Sequence, residues 1–363
     1  MTSHPVWPDV LRVSWLTGGV VAINEPGPKI HLIAGLNGAT IQTFEISSYS
    51  SLYESLQLQG FQIMGTTFVV DLHLPDEDRR HEFRTFFRNK GWLAWEVKHK
   101  WRRIAVAAGI AKNLPLMDVA SRIASGITYT ESRLSDLVNA YSLQLSALLR
   151  YEGPKQYEAF KHYTSLEVYK GIHALFWEMA VLRDTLAEFA ARFCFSEPAI
   201  FSMKGLRKTL KKLAVKDQIA DEILRINQSS GGWLATFTAY RNCFTHLASL
   251  EQVEGTTFVV QDMRRVSESL SIPQVYYPLP GEIEKLLEKR SRGFPFASLE
   301  EFREALSRHH DRNFEPDALE YLHSCATRFA EFADELVSRS PVPPQPIHIG
   351  PKDIIGEVRV MSR

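Results

Sequence analysis

The sequence predicts a mostly α-helical protein, with a mixed α/β region over residues 1–150 followed by a helical bundle over residues 151–340. Three observations predict this fold class. In the second half, apolar residues recur at steps of three and four along four stretches, as in helices that bury one face. Residues 1–75 instead have short apolar runs between glycine and proline turns, which is typical of strands. The turn sequence Glu152-Gly153-Pro154 separates the two halves.

The first half is predicted to begin with strands and to continue with helices. Apolar runs at 10–16 and 20–24 flank Gly18-Gly19, which predicts a hairpin, and residues 66–74 have the clearest strand pattern. From residue 75 to 149 the pattern becomes helical, beginning at an acidic run that favours a helix N-terminus.

A cluster of basic and aromatic residues lies in this helical part. It can be interpreted as a nucleic-acid-binding surface, because bases stack on aromatic rings and phosphates attract cations. The alternative is an amphipathic helix that buries its tryptophans and exposes its charges to water, and we favour this interpretation. The cluster consists of Trp92, Trp95, Lys98, Lys100, Trp101, Arg102 and Arg103.

The second half is predicted to contain four helices that pack on one core. An insertion with short strands is expected over residues 252–315, and a proline-rich extended tail over residues 341–363. The helices are expected near residues 156–195, 203–227, 233–250 and 317–338.

The polar residues whose spacing suggests chemistry are Arg241, Asn242 and His246, in the pattern R-N-x-x-x-H on the third of these helices. At about 100° per residue, Asn242 and His246 point nearly opposite the apolar stripe of this helix, and Arg241 lies at its edge. Histidine transfers protons, a guanidinium binds phosphate oxygens, and an amide one turn away can orient the imidazole or the phosphate. These groups suffice for RNA cleavage by the 2′-hydroxyl. A surface histidine without a function is the alternative.

The geometry of one helix predicts a dimer. Arg241 and His246 are about 140° apart on a regular helix, so a single helix does not direct both side chains to one phosphate. Either the helix is distorted or a second copy of the chain contributes to the site.

The run R-N-C-F-T-H resembles the R-x(4–6)-H motif of the HEPN superfamily, including the polar residue that often follows the arginine. The resemblance covers roughly residues 154–338. It implies a HEPN-like helical bundle and, as in many of those proteins, a metal-independent RNase whose site forms across a two-fold dimer. It also implies a setting in antiphage defence or in a toxin–antitoxin pair, with a cognate antitoxin or another defence protein as a possible partner.

A basic stripe precedes this helix in the sequence. We interpret it as a groove for the RNA backbone, with a solvated helix face as the alternative. It consists of Lys204, Arg207, Lys208, Lys211 and Lys212.

The composition limits the function classes. The chain has 42 basic and 42 acidic residues, so it is not a general polyanion binder and any RNA contact has to come from a local patch. Its three cysteines are not spaced as pairs, which fits a reducing compartment and predicts a cytoplasmic protein. The sequence has no metal-ligand spacing, no phosphate-binding loop, no signal-peptide pattern and no apolar run long enough for a membrane. We therefore expect no metal, cofactor or membrane partner.

The sequence thus predicts a metal-independent endoribonuclease that acts as a homodimer on RNA. Two alternatives remain open. One is a non-catalytic HEPN-like module that binds nucleotides, RNA or a partner protein with the same residues. The other is a structural subunit of a larger complex in which the motif has no chemical role.

Overall fold

The protein combines two antiparallel sheets with a layer of long helices. The fold is taken from a computed structural model, which describes residues 7–229, 231–246, 259–266, 270–279, 283, 298 and 316–344, without the side chains of residues 50, 245 and 246. The described strands are β1 (Leu11–Leu16), β2 (Val20–Asn24), β3 (Lys29–Ala34), β4 (Thr40–Glu45), β5 (Ile63–Val70), β6 (Arg80–Thr85), β7 (Glu158–Phe160), β8 (Val259–Arg265) and β9 (Ser271–Tyr276). The described helices are α1 (Tyr49–Leu58), α2 (Leu93–Ile110), α3 (Leu114–Tyr151), α4 (Ser165–Phe189), α5 (Met203–Leu213), α6 (Gln218–Ile226), α7 (Trp233–His246) and α8 (Ala318–Val337).

The first six strands form one antiparallel sheet in the order β4-β3-β2-β1-β5-β6. The predicted hairpin is confirmed, because β1 pairs with β2 in the register Val13↔Ile23 and the turn between them contains Gly18 and Gly19. Gly19 has a φ of +84°, and a Cβ at this position would lie 2.5 Å from the backbone oxygen of Tyr141 on α3. Only glycine lets the hairpin turn approach the helix this closely.

Helices α3 and α4 form the centre of the helical layer. They run antiparallel, since Gly126 of α3 faces Leu182 of α4 and Gly171 of α4 faces Leu137 of α3. A Cβ at Gly171 would lie 2.9 Å from a methyl carbon of Leu137, so this glycine permits close packing of the two helices.

The predicted fold class, mostly α with a C-terminal HEPN-like helical bundle, is wrong. The described part of the chain is a mixed α/β structure with a six-stranded and a three-stranded antiparallel sheet, and it contains no separate C-terminal bundle. The physical reason is that α2 and α3, from the first half, pack on α4 and α8, so the helices of the second half do not form a core of their own. The division at residue 150 stays a prediction.

Three of the predicted helical regions also differ in their bounds. The helical pattern predicted from residue 75 begins only at Leu93, because residues 76–78 form a single 3₁₀ turn and residues 80–85 form β6, which pairs with β5. Residues 158–160 form β7, which pairs with β8, so the first helix begins at Ser165. The expected helix over 203–227 is two helices, because Ala214 ends α5 in the left-handed conformation and the Asp217 side chain accepts the first amides of α6.

The predicted insertion and tail are described only in part. Short strands within the insertion are confirmed by β8 and β9, which with β7 form the second sheet. The remainder of the insertion, apart from Ile283 and Ser298, lies outside the described residues, as does the tail beyond residue 344.

One apolar cluster joins the sheet and the helices. Its largest members are fully buried aromatic side chains on different elements, including Trp101 of α2, Tyr141 of α3, Phe176 of α4, Phe237 of α7 and Phe329 of α8. Each side chain of this size removes on the order of 150–250 Å² from water on burial, so this cluster is the main source of stability.

Candidate functional site

Helix α7, which carries the R-N-x-x-x-H pattern, is held by its apolar stripe. Phe237, Tyr240 and Phe244 are buried, as their spacing predicts. Their rings lie 5.5, 6.4 and 5.1 Å from the ring of Phe176 on α4, so the stripe packs along that helix. The face of α7 with the polar residues is therefore directed away from the core.

Arg241 lies partly buried between α7 and α4. Its guanidinium carbon is 5.1 Å from the centre of the Trp177 ring, a cation–π distance. Its Nη1 donates a hydrogen bond of 3.2 Å to Oδ1 of Asn242. The structure thus places Asn242 in contact with Arg241, so the amide helps to hold the guanidinium in position.

His246 is the last described residue of α7, and its side chain lies outside the described residues. The structure therefore brings Arg241 and Asn242 together and says nothing of the imidazole. The role of His246 in proton transfer stays a prediction.

A pocket of about 550 Å³ opens beside Arg241, between α3 and α4. We call it the α3–α4 pocket. Arg241 stands at its edge, because the Trp177 ring that contacts the guanidinium is also part of the pocket wall. The wall is formed by Arg133 of α3 and by Tyr169, Lys170, His173, Ala174, Trp177 and Glu178 of α4.

His173 is the titratable group of this pocket that sequence reasoning missed. Its Nε2 lies 3.1 Å from the hydroxyl of Tyr169, and its ring packs edge-on against Phe244 at 5.6 Å. Burial lowers the pKa of His173, and the backbone carbonyl of Phe244 acts in the opposite direction. The imidazole is therefore neutral at pH 7. The spacing of Tyr169, His173 and Trp177 at steps of four on one helix face was the available signal.

The cations of the pocket form only weak ion pairs with neighbouring side chains. Arg133 pairs with Asp136 at 3.2 Å and Lys170 pairs with Glu167 at 2.8 Å, both among largely exposed side chains one turn apart. Such pairs contribute about 0–1 kcal/mol, so both cations can turn towards an anionic ligand at little cost. Burial raises the pKa of Glu178, and the charge of Arg133 opposes the rise.

The predicted basic stripe lies on α5 and divides into two kinds of residue. Arg207 is partly buried and donates from Nη1 to the backbone oxygen of Asn227 at 3.3 Å, so it ties α5 to the end of α6. The four lysines are exposed, and these are Lys204, Lys208, Lys211 and Lys212. Only the lysines form a surface that can meet a phosphate backbone.

A short chain of hydrogen bonds connects the start of α5 to α7. The amide of Met203 donates to Asp184 at 3.0 Å, and Asp184 forms a two-bond pair with Arg183. Arg183 in turn donates to the hydroxyl of Thr238 on α7 at 3.2 Å. This chain fixes the first turn of the lysine helix relative to the helix of Arg241.

The basic and aromatic cluster at α2 agrees with the amphipathic interpretation only in part. Trp101 is buried and Arg102 and Arg103 are exposed, whereas Trp92 and Trp95 are half-buried and the charge of Lys98 is buried. Trp101 is fully buried and donates its indole N–H to the backbone oxygen of Ala333 at 3.1 Å. Lys98 is buried in an ion pair with Glu131 at 2.7 Å. These contacts give the cluster a structural role.

Within the described ranges, no helix has the length and apolar composition needed to cross a membrane. In the same part of the chain, no three or more histidine, cysteine, aspartate or glutamate side chains are grouped as metal ligands.

Comparison with known proteins also finds no relative. No protein-family model, no curated protein sequence and no solved structure matches the chain.

Proposed function

We propose that this chain is a metal-independent endoribonuclease whose site is formed by Arg241, Asn242 and His246. The observation that carries the proposal is the setting of Arg241. Asn242 and the Trp177 ring hold its guanidinium at the polar face of α7, beside a pocket that offers further cations. A positioned guanidinium neutralises a scissile phosphate without having to be ordered during the reaction.

The chemistry is an internal transfer at phosphorus. His246, acting as a base, removes the proton from the ribose 2′-hydroxyl, and this oxygen attacks the adjacent phosphorus. The bond from phosphorus to the 5′-oxygen breaks, and the leaving oxygen takes a proton from an imidazolium. Arg241 stabilises the charge that develops on the non-bridging oxygens. The products are a 2′,3′-cyclic phosphate and a 5′-hydroxyl.

The site is completed in a homodimer. The proposal rests on the angle of about 140° that separates Arg241 and His246 on a regular helix. A two-fold contact along the polar face of α7 would bring Arg241 of one copy towards His246 of the other. The protein would work in the cytoplasm, in antiphage defence or a toxin–antitoxin system, with an antitoxin or another defence protein as its regulator.

RNA cleavage in EDTA tests the proposal. We expect cleavage to continue in EDTA, to leave cyclic phosphate ends, and to spare DNA, which lacks the 2′-hydroxyl. His246→Ala and Arg241→Ala should each lower the rate by about 10²–10⁴, and Asn242→Ala should lower it less because its amide only holds Arg241.

Matched controls are available on the exposed surface. His81→Ala on β6 and Arg103→Ala on α2 remove the same side-chain types from exposed positions away from α7, and should leave the rate unchanged. Cleavage that requires magnesium and survives His246→Ala would overturn the proposal. Light scattering should show a dimer at micromolar concentration, and a monomer that cleaves RNA would refute the shared site.

A non-catalytic RNA-binding module is the second candidate. It is favoured by the α3–α4 pocket, whose aromatic rings and cations suit binding without chemistry. Binding of RNA that depends on Arg241 without any cleavage would identify this function.

A further inference from the structure

Trp177 is an exposed aromatic side chain of the helical layer. The residue is 55% exposed although α4 is packed on α3, α7 and α8, whereas Trp101 of α2 is fully buried. The guanidinium of Arg241 lies over its ring, so the indole is held in place by a charged neighbour. An exposed indole that is already oriented can stack a second planar group at little entropic cost.

The α3–α4 pocket next to this ring has the size and chemistry of a site for a nucleobase. Its volume of about 550 Å³ falls within the range of roughly 300–1,000 Å³ that small-molecule sites occupy. Trp177 provides exposed aromatic surface beside the largely buried ring of Tyr169, and the imidazole of His173 and the carboxyl of Glu178 are polar groups that can meet the edge of a base.

The charges around the pocket are arranged for a nucleotide. Arg133 and Lys170 lie in the pocket wall, and Arg241 adds a third cation over the Trp177 ring. The weak surface pairs of Arg133 and Lys170 leave both free to meet a phosphate. A base stacked on Trp177 would thus have cations nearby for the phosphates that flank it.

We propose that the α3–α4 pocket binds an unpaired nucleobase of single-stranded RNA, which stacks on Trp177 while the adjoining phosphate lies on Arg241. Single-stranded RNA is the occupant because the bases of a duplex are stacked on each other and cannot enter a pocket. This inference deepens the proposed function. The statement that the phosphate on Arg241 is the one at which RNA is cleaved rests on that function. The nucleotide bound in the pocket would then lie next to the bond that is cleaved.

The test is a binding measurement that does not depend on cleavage. Fluorescence anisotropy with labelled random-sequence single-stranded RNA is measured in the His246→Ala background, so that the RNA stays intact. Trp177→Ala should weaken binding by about fivefold to a hundredfold, the usual effect of losing one base–aromatic stack. Trp177→Phe should retain most of the affinity because it keeps a ring.

Tyr151→Ala is the matched control. Tyr151 is 63% exposed and lies on α3 about 27 Å along the helix from Arg133, so its loss should not change RNA affinity. An oligonucleotide with a fluorescent base analogue should be quenched by the parent and not by Trp177→Ala. The free energy of unfolding in urea should be the same for Trp177→Ala and its parent, because Trp177 is exposed.

The outcomes separate the inference from the proposed function. If RNA binding depends on Trp177 but the wild-type chain cleaves no RNA, the pocket stands and the endoribonuclease proposal fails. If the chain cleaves RNA and Trp177→Ala binds as well as its parent, the pocket inference is wrong. Failure to bind single-stranded RNA also overturns the inference. A loss of dimer in Trp177→Ala with unchanged RNA affinity would show that a second copy covers the ring.

Discussion

Removing one partner of the buried ion pair between Lys98 and Glu131 should strongly destabilise the protein. The lysine Nζ lies 2.7 Å from Glu131 Oε2, and the two side chains are only 10% and 6% exposed. The other carboxylate oxygen accepts the backbone N–H of Thr85 at 3.2 Å, so the pair connects α2 and α3 to the edge strand β6. Lys98→Met leaves the carboxylate buried without its counter-charge, which costs about 3–5 kcal/mol of unfolding free energy.

The double variant Lys98→Met/Glu131→Gln should recover part of this loss. Both charges are then absent, and the glutamine oxygen can still accept the N–H of Thr85, so we expect a cost of about 1–3 kcal/mol. Urea unfolding followed by circular dichroism measures each value.

An exposed pair of nearly the same length is the control for this measurement. Lys170 and Glu167 lie 2.8 Å apart, but their side chains are 57% and 54% exposed, so Lys170→Met should change stability by no more than about 1 kcal/mol. If Lys98→Met costs as little as Lys170→Met, burial does not determine the strength of the pair and the reasoning is wrong.

Three further predictions concern the core, a buried acid and a turn. Phe176→Ala and Phe329→Ala should each cost about 3–5 kcal/mol in urea unfolding, because both rings are about 1% exposed, and a near-zero loss in both would contradict the shared core. Burial raises the pKa of Asp317 from its ordinary 3.8 to about 7. The folded carboxyl therefore keeps a proton that the unfolded chain releases, and stability should fall as the pH rises from about 4 to about 7. Asp317→Asn should flatten a plot of melting temperature against pH, and an unchanged profile would refute this. Gly19→Ala should lower the melting temperature, because its Cβ would lie 2.5 Å from the Tyr141 carbonyl oxygen in a left-handed turn, and an unchanged value would show that the turn can move away.

Features that depend on residues close together in the sequence could be predicted from the sequence alone. The hairpin at Gly18 and Gly19 follows from two apolar runs around a turn. The buried stripe of α7 follows from its period, and the same period placed Asn242 on the polar face, where the structure has it in contact with Arg241. Each of these features is set within a few residues, by backbone conformation or by helix geometry.

The break between α5 and α6 could have been anticipated only in part. Ala214 has a positive φ although alanine favours helices, and the stop depends on where the apolar faces of the two helices pack. Asp217 was a visible helix-capping residue, and it accepts the first amides of α6. Local propensity was overridden here by tertiary packing.

Some roles of single residues also required the structure. Arg207 resembles the lysines around it in the sequence, yet it donates to the backbone oxygen of Asn227, just after the end of α6. His173 lies one turn from Trp177 on α4, but its contact with Phe244 and the nearness of Arg241 depend on how α7 packs on α4. The partners of a side chain on other elements cannot be found from its own periodicity.

The sequence by itself determined the β1–β2 hairpin, the apolar faces of the long helices, and the presence of Arg241, Asn242 and His246 on one helix. Only the tertiary structure decided that residues 80–85 join the first sheet as β6, that α2 and α3 share a core with α4 and α8, and that Arg133 and Trp177 line one pocket. The physical reason is that burial of an apolar face is favourable against any partner of suitable shape. A periodic pattern therefore specifies which face is buried, while the partner is chosen by the packing of the whole chain.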